Sequence, residues 1–117
     1  MTVATKEKQY ETLAEFWPFY VGEHRQPLTR WLHFVGTTTL FIWLLVAVIR
    51  RQARWLPVAV ISPYTYAWAS HFFVEKNKPA TFKYPFKSLI SDFKMYGLMC
   101  QGQMDAEVAK YCPSEEI

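Results

Sequence analysis

The chain has 117 residues, room for one domain, and a formal net charge of +3 from 13 Lys and Arg against 10 Asp and Glu. No stretch interleaves dense Lys and Arg with aromatic residues, so a nucleic-acid partner is set aside and contact with anionic lipid headgroups is favoured. Aromatic residues reach 18 % and gather around two apolar runs, the place Trp and Tyr take at a membrane–water boundary.

The start of the chain is polar and charged, and no cleavable signal peptide is expected there. Residues 5–20 are expected to form an amphipathic helix. Tyr10, Leu13, Phe16, Trp17 and Tyr20 recur at spacings of three and four, with Lys6, Glu7, Lys8, Glu11 and Glu15 mostly elsewhere. Such a helix can lie in the interface plane or pack on the ends of a hairpin. Gly22 and Pro27 bracket a turn carrying Glu23, His24 and Arg25. Pro27 suits the opening of the next helix, because its missing N–H would lack a partner there anyway.

Residues 28–49 are the first predicted transmembrane helix. The run from residue 40 to 49 is wholly apolar, and residues 31–39 bring it to the ~20 residues a span requires. Thr37, Thr38 and Thr39 are tolerable inside it, since their hydroxyls can bond back to the preceding turn. After the turn Arg50-Arg51-Gln52-Ala53-Arg54, residues 55–74 are the second predicted span, with Pro57 in its first turn and Pro63 expected to kink it. A buried hairpin in a soluble bundle is the alternative, but little chain remains to wrap two apolar helices.

Pro79 ends that run. Residues 85–104 are expected to form a second amphipathic helix with Phe86, Leu89, Ile90, Phe93, Tyr96 and Met99 or Cys100 on one face. Lys87, Asp92 and Lys94 argue against a third span. Residues 109–117 read as a frayed tail. The expected fold is all-α: one integral membrane domain, a hairpin of two transmembrane helices with an interfacial amphipathic helix at each end. Arg25, Arg30, Lys76, Lys78, Lys83 and Lys87 flank one side of the hairpin against Arg50, Arg51 and Arg54 on the other, which puts the termini in the cytoplasm. Gly36 with Thr37 to Thr39 is a candidate surface for homo-oligomers. Cys100 and Cys112 fit neither a redox pair nor a zinc ribbon and read as free thiols.

The chemistry concentrates in the three histidines, the only ones present. His33 and His71 each lie about 19 residues from Gln52, or ~28 Å along a helix, so antiparallel helices deliver them to the same depth. His24 joins them from the turn. His71 and Glu75, at i and i+4, share a helical face. Three imidazoles and a carboxylate suit Fe(II), Mn(II) or Zn(II), and open positions on such a site suit O₂ activation or a metal-bound water. The bland alternative is a set of ordinary interfacial histidines bonded to headgroups, carbonyls or Glu75. A bis-imidazole haem through His33 and His71 is a further option, disfavoured by its exposure at the polar end of the hairpin. Glu23 could be another ligand or an outer partner. No nucleophile elbow, phosphate loop or H-E-x-x-H motif is present.

The stretches from Phe16-Trp17-Pro18-Phe19-Tyr20 through Glu23-His24, Leu32-His33-Phe34-Val35-Gly36-Thr37, and Ala67-Trp68-Ala69-Ser70-His71 through Glu75 to Pro79-Ala80 and Pro85 resemble a known membrane family. It was long listed as a domain of unknown function and includes the yeast endoplasmic-reticulum 2-hydroxy fatty acid dioxygenase. The chain is similar to its short bacterial members, from about Leu13 to Met104. The resemblance implies an Fe(II)-dependent dioxygenase that shortens a 2-hydroxy fatty acid by one carbon using O₂, placed in a bacterial inner membrane. It further implies His24, His33 and His71 as catalytic metal ligands, with Glu75 at the family's acidic position. The chain departs from the yeast enzyme in having a short Arg-rich turn where that enzyme has extra hydrophobic segments. Arg25, Arg30 or Lys78 could pair with the substrate carboxylate at headgroup level. The rival reading is a non-catalytic membrane protein that binds lipid or a protein partner.

Overall fold

The computed structural model describes residues 10–112, whose regular structure is all helical, with no strand among them. Helix α1 (Leu13–Gly22) starts where Thr12 accepts the Glu15 N–H at 3.1 Å, while the Glu15 carboxylate accepts the Glu11 N–H. That cap places the start later than the expected residue 5; residues 5–9 lie outside the described part. Helix α1 packs against the helices that follow residue 84 instead of lying alone in an interface. Phe16, Trp17, Tyr20 and Val21 are buried with Ala80, Met95 and Met104, whereas Leu13, expected on the same face, is exposed.

Helix α2 (Pro27–Arg50) opens on Pro27 and closes at Arg51, whose left-handed backbone (φ +52°) returns its N–H to the last turn. Helix α3 (Leu56–Ala69) runs back against it and continues as a π-helical segment, Ser70–Glu75. Stacked Trp43 and Trp55, 5.4 Å between centroids, close the turn end of the hairpin. Near the other end the two backbones touch. A Cβ on Gly36 would lie 3.0 Å from the Pro63 carbonyl oxygen and 3.1 Å from its Cα. The Gly36 face is thus taken up by the chain's own α3 and not left for a second copy. Thr38 and Thr39 bond back to the Phe34 and Gly36 carbonyls, and Ser62 donates to Thr39 across the hairpin at 2.7 Å.

Helix α2 alone among the described helices is long and apolar enough to cross a membrane. Its side-chain distribution is inverted relative to a water-soluble bundle. Small residues face inward (Gly36, Thr37, Ala47, Ala59 and Ser70 are buried), while Ile42, Leu45, Val48, Ile49, Val60 and Ile61 are each more than half exposed. Small-inside packing is the arrangement of helices whose outer faces meet lipid tails.

The same inversion holds in α4 (Pro85–Cys100), whose apolar face was expected at the interface. Its Phe86, Leu89, Ile90 and Phe93 point outward, and Ser88, Ser91 and Met95 face the protein. Phe34 stacks on Tyr96 at 4.6 Å and Thr38 meets the Tyr96 hydroxyl at 3.0 Å, which fixes α4 on α2. The expected single helix to residue 104 breaks at Gly102 (φ +71°), and a separate helix α5 (Met104–Tyr111) follows. Residues 109–111 are therefore helical, not frayed, because Met104 anchors α5 in the core around α1. Cys100 and Cys112 are both free thiols.

Candidate metal centre

The three histidines arrive on three different segments. His24 follows the end of α1, His33 sits in the second turn of α2, and His71 lies in the π-helical segment after α3. Their ring centroids form a triangle of 4.5 Å (His24–His33), 4.6 Å (His24–His71) and 5.1 Å (His33–His71). All three rings are buried. A porphyrin between any two would collide with the third, so the haem alternative falls.

Each ring is held from behind. The Nδ1 of His24 lies 2.6 Å from the Tyr20 carbonyl oxygen, and that of His33 lies 2.9 Å from the Thr29 carbonyl oxygen. The Nδ1 of His71 lies 2.7 Å from Oδ1 of Asn77, whose amide nitrogen donates to the Glu23 carbonyl at 3.3 Å. A carbonyl oxygen only accepts, so each Nδ1 carries the proton and each Nε2 keeps its lone pair. Ser70 fits the same assignment: it donates to the Ala67 carbonyl and accepts from His33 Nδ1.

The consequence is that Nε2 of His24 and Nε2 of His33 face one another at 3.1 Å as two acceptors. One candidate ligand nitrogen from each histidine lies within 4.8 Å of the other two. Lone pairs so placed repel unless a cation joins them. Protonation is opposed at His24, where burial, then the charges of His33 and His71, hold the imidazole well below its usual range. A divalent metal satisfies the arrangement, and the Nδ1 partners are the outer contacts that orient metal-binding histidines. Three neutral imidazoles suit Fe(II), Mn(II) or Zn(II) alike.

Other expected site residues fall elsewhere. Glu75 is outside the histidine group, since i→i+5 bonding in its segment turns it out of the i+4 register with His71. Its carboxylate accepts the Gln26 N–H at the start of α2, a favourable place for a negative charge. Arg30 is buried and donates to the His24 and Arg25 carbonyls at 2.9 and 2.6 Å, with Asp105 at 3.2 Å. It therefore braces the turn that carries His24. Arg25 and Lys78 are exposed, one residue from His24 and Asn77 respectively. Glu23 is half-buried, its carboxyl pushed up by burial and then by the charge of Glu75.

Four residues in or around the site were not evident as such from sequence: Asn77, Tyr20, Asp92 and Ser88. Tyr20 stacks on His24 at 4.0 Å and donates its hydroxyl to Asp92. Burial pushes Asp92 up to about 7 against the lowering effect of that bond. The Ser88 hydroxyl is buried without a hydrogen-bond partner. Tyr20, Ser88 and Asp92 line a small cleft with the three histidines. A second cavity, about 300 Å³, begins at His33 and Asp92 and extends between α2, α3 and α4. An acid on an otherwise apolar helical face was the available signal for Asp92.

Fold and cluster together define an all-helical protein with a buried three-imidazole group able to bind a metal. A family model described as 2-hydroxy-palmitic acid dioxygenase Mpo1-like matches residues 10–104, a span containing all three histidines, and the chain belongs to that family. No curated protein and no solved structure matches the chain.

Proposed function

We propose that the chain is a membrane-embedded, Fe(II)-dependent dioxygenase of 2-hydroxy fatty acids, with His24, His33 and His71 as metal ligands. The observation that carries this reading is the meeting of three buried imidazoles, one ligand nitrogen of each within 4.8 Å of the other two, with every Nδ1 fixed by a carbonyl oxygen. The family description supports the reaction class and the acyl substrate. Ferrous iron at the cluster would supply the activation of O₂.

The chain's own residues supply the rest. Tyr20, Thr29 and Asn77 hold the rings, and Arg30 holds the turn bearing His24. Arg25 and Lys78, next in sequence to His24 and Asn77, would pair with the substrate carboxylate. Asp92, with its Tyr20 partner, supplies a carboxyl group in the cleft wall that can exchange a proton near neutrality. The exposed apolar faces of α2 and α3 support a hairpin that crosses the bilayer twice, the second crossing running through α3 and the π-helical segment. Six basic residues against three keep the termini and the cluster on the cytoplasmic side of a bacterial inner membrane.

Oxygen uptake by protein purified anaerobically and loaded with Fe(II) tests the reading. 2-Hydroxypalmitic acid should drive uptake and yield the acid one carbon shorter, and palmitic acid should not. Metal-loaded protein that consumes no O₂ with the hydroxy acid would leave a metal-binding membrane protein without this chemistry.

A further inference from the structure

We propose that the cavity between α2, α3 and α4 holds the substrate's acyl chain, and that Leu40 and Val60 contact its distal part. The proposal rests on the reading of the histidine cluster as the place where the hydroxy-acid head reacts. Continuity is the first argument. His33, Tyr64, Ala67 and Asp92 line both the cleft at the cluster and the larger cavity, so the two spaces share a wall.

Polarity is the second. The end shared with the cluster carries His33 and Asp92, whereas Leu40, Val60, Pro63, Leu89 and Phe93 line the remainder, with Thr37 its one polar residue. A ligand with a polar head and an aliphatic tail matches that gradient in one orientation only. Register is the third. His33, Thr37 and Leu40 stand at i, i+4 and i+7 on α2, so the cavity descends about two turns, ~10 Å, below the cluster. Its volume of about 300 Å³ is at the lower end of the ~300–1,000 Å³ of ligand pockets.

The lining also explains how a tail gets in. Val60, Leu89 and Phe93 line the cavity and are also exposed, at 55 %, 42 % and 40 %. The cavity is therefore open sideways along the faces assigned to the bilayer, and a chain can slide in from lipid without its head leaving the headgroup level.

The test is calorimetric titration of Fe(II)-loaded protein, kept anaerobic, with 2-hydroxypalmitic acid and with 2-hydroxyhexanoic acid. Leu40→Trp and Val60→Trp fill the cavity from two different helices. Each buried methylene is worth about fourfold in affinity, so excluding even two gives a loss of about tenfold or more for the long acid. The short acid, whose tail ends above Leu40, should keep its wild-type affinity. Leu45→Trp, on an outward position of α2, should change neither.

Metal content reports folding of each variant. If both Trp variants lose metal, Leu40→Ala decides, because it removes contact without adding bulk and should weaken the long acid severalfold. Wild-type affinity for 2-hydroxypalmitic acid in metal-loaded cavity variants would overturn the proposal and leave the function intact. Wild-type protein that holds iron yet binds neither acid would overturn the function itself, and the acyl site with it.

Discussion

Gly36→Ala isolates the contact that sets the spacing of the two central helices. Ordinary van der Waals contact begins at 3.4 Å, and the new Cβ would meet the Pro63 oxygen at 3.0 Å and its Cα at 3.1 Å. Both atoms are backbone, so neither can rotate away, and the helices must separate by about 0.4 Å. Overpacking of this kind costs about 1–3 kcal/mol. The better helix propensity of Ala returns at most ~1 kcal/mol. Set against each other, these leave a net loss of up to about 2 kcal/mol, centred near 1.

The displacement also reaches the cluster, because His33 is one turn from Gly36 and Ser70 is one turn from Tyr66, which the added Cβ would also touch. That shift stays inside the ~0.5 Å within which such sites must be held, so stability should fall with little loss of metal affinity. Gly97→Ala is the internal control: a Cβ there meets nothing within 4 Å, and the variant should gain up to ~1 kcal/mol. Thermal unfolding in one detergent, followed by circular dichroism, compares the three proteins. A Gly36→Ala protein as stable as wild type would refute the close-packed hairpin.

Other consequences follow from the same geometry. Asn77→Ala removes the acceptor on His71 Nδ1 and should weaken metal binding by about 10- to 100-fold in a chelator competition, with little change in helix content; an unchanged affinity would deny Asn77 its orienting role. Asp92 adds a pH dependence. Its pKa is about 7 when folded against 3.8 as a free side chain, so the folded state binds the extra proton between those values. Stability from this group is full below about 4 and is lost as pH rises through about 7, up to a few kcal/mol. Asp92→Asn removes the titration, so its stability relative to wild type should rise between pH 5 and pH 8. A constant difference across that range would contradict the burial of this carboxyl.

The meeting of the histidines was legible because it depends on arithmetic alone. Equal distances from Gln52 in an antiparallel hairpin bring His33 and His71 level, and the short turn leaves His24 nowhere else to go. What fixes the rings was not legible. Asn77 reaches back to His71 only because Lys76 takes a left-handed backbone (φ +64°) after the π-helical segment. That segment also removes Glu75 from the expected register, and nothing in Ser70-His71-Phe72-Phe73-Val74-Glu75 distinguishes it from ordinary helix.

Helix α4 shows a different limit. Periodicity finds its apolar face, expected at the interface, but not the serine face that packs. Phe86, Leu89, Ile90 and Phe93 face outward as they would toward lipid, and the serines on the opposite face do the packing. The break at Gly102 is the kind a glycine permits, yet it becomes necessary only because Met104 must turn back onto α1.

The central claim is that the three Nε2 atoms share a metal ion, and elemental analysis of anaerobically purified protein measures it directly. Wild type should carry close to one iron per chain after Fe(II) loading, and His33→Ala and His71→Ala should carry almost none while remaining helical. Wild type that binds no metal after loading, or histidine variants that bind as much as wild type, would contradict the account.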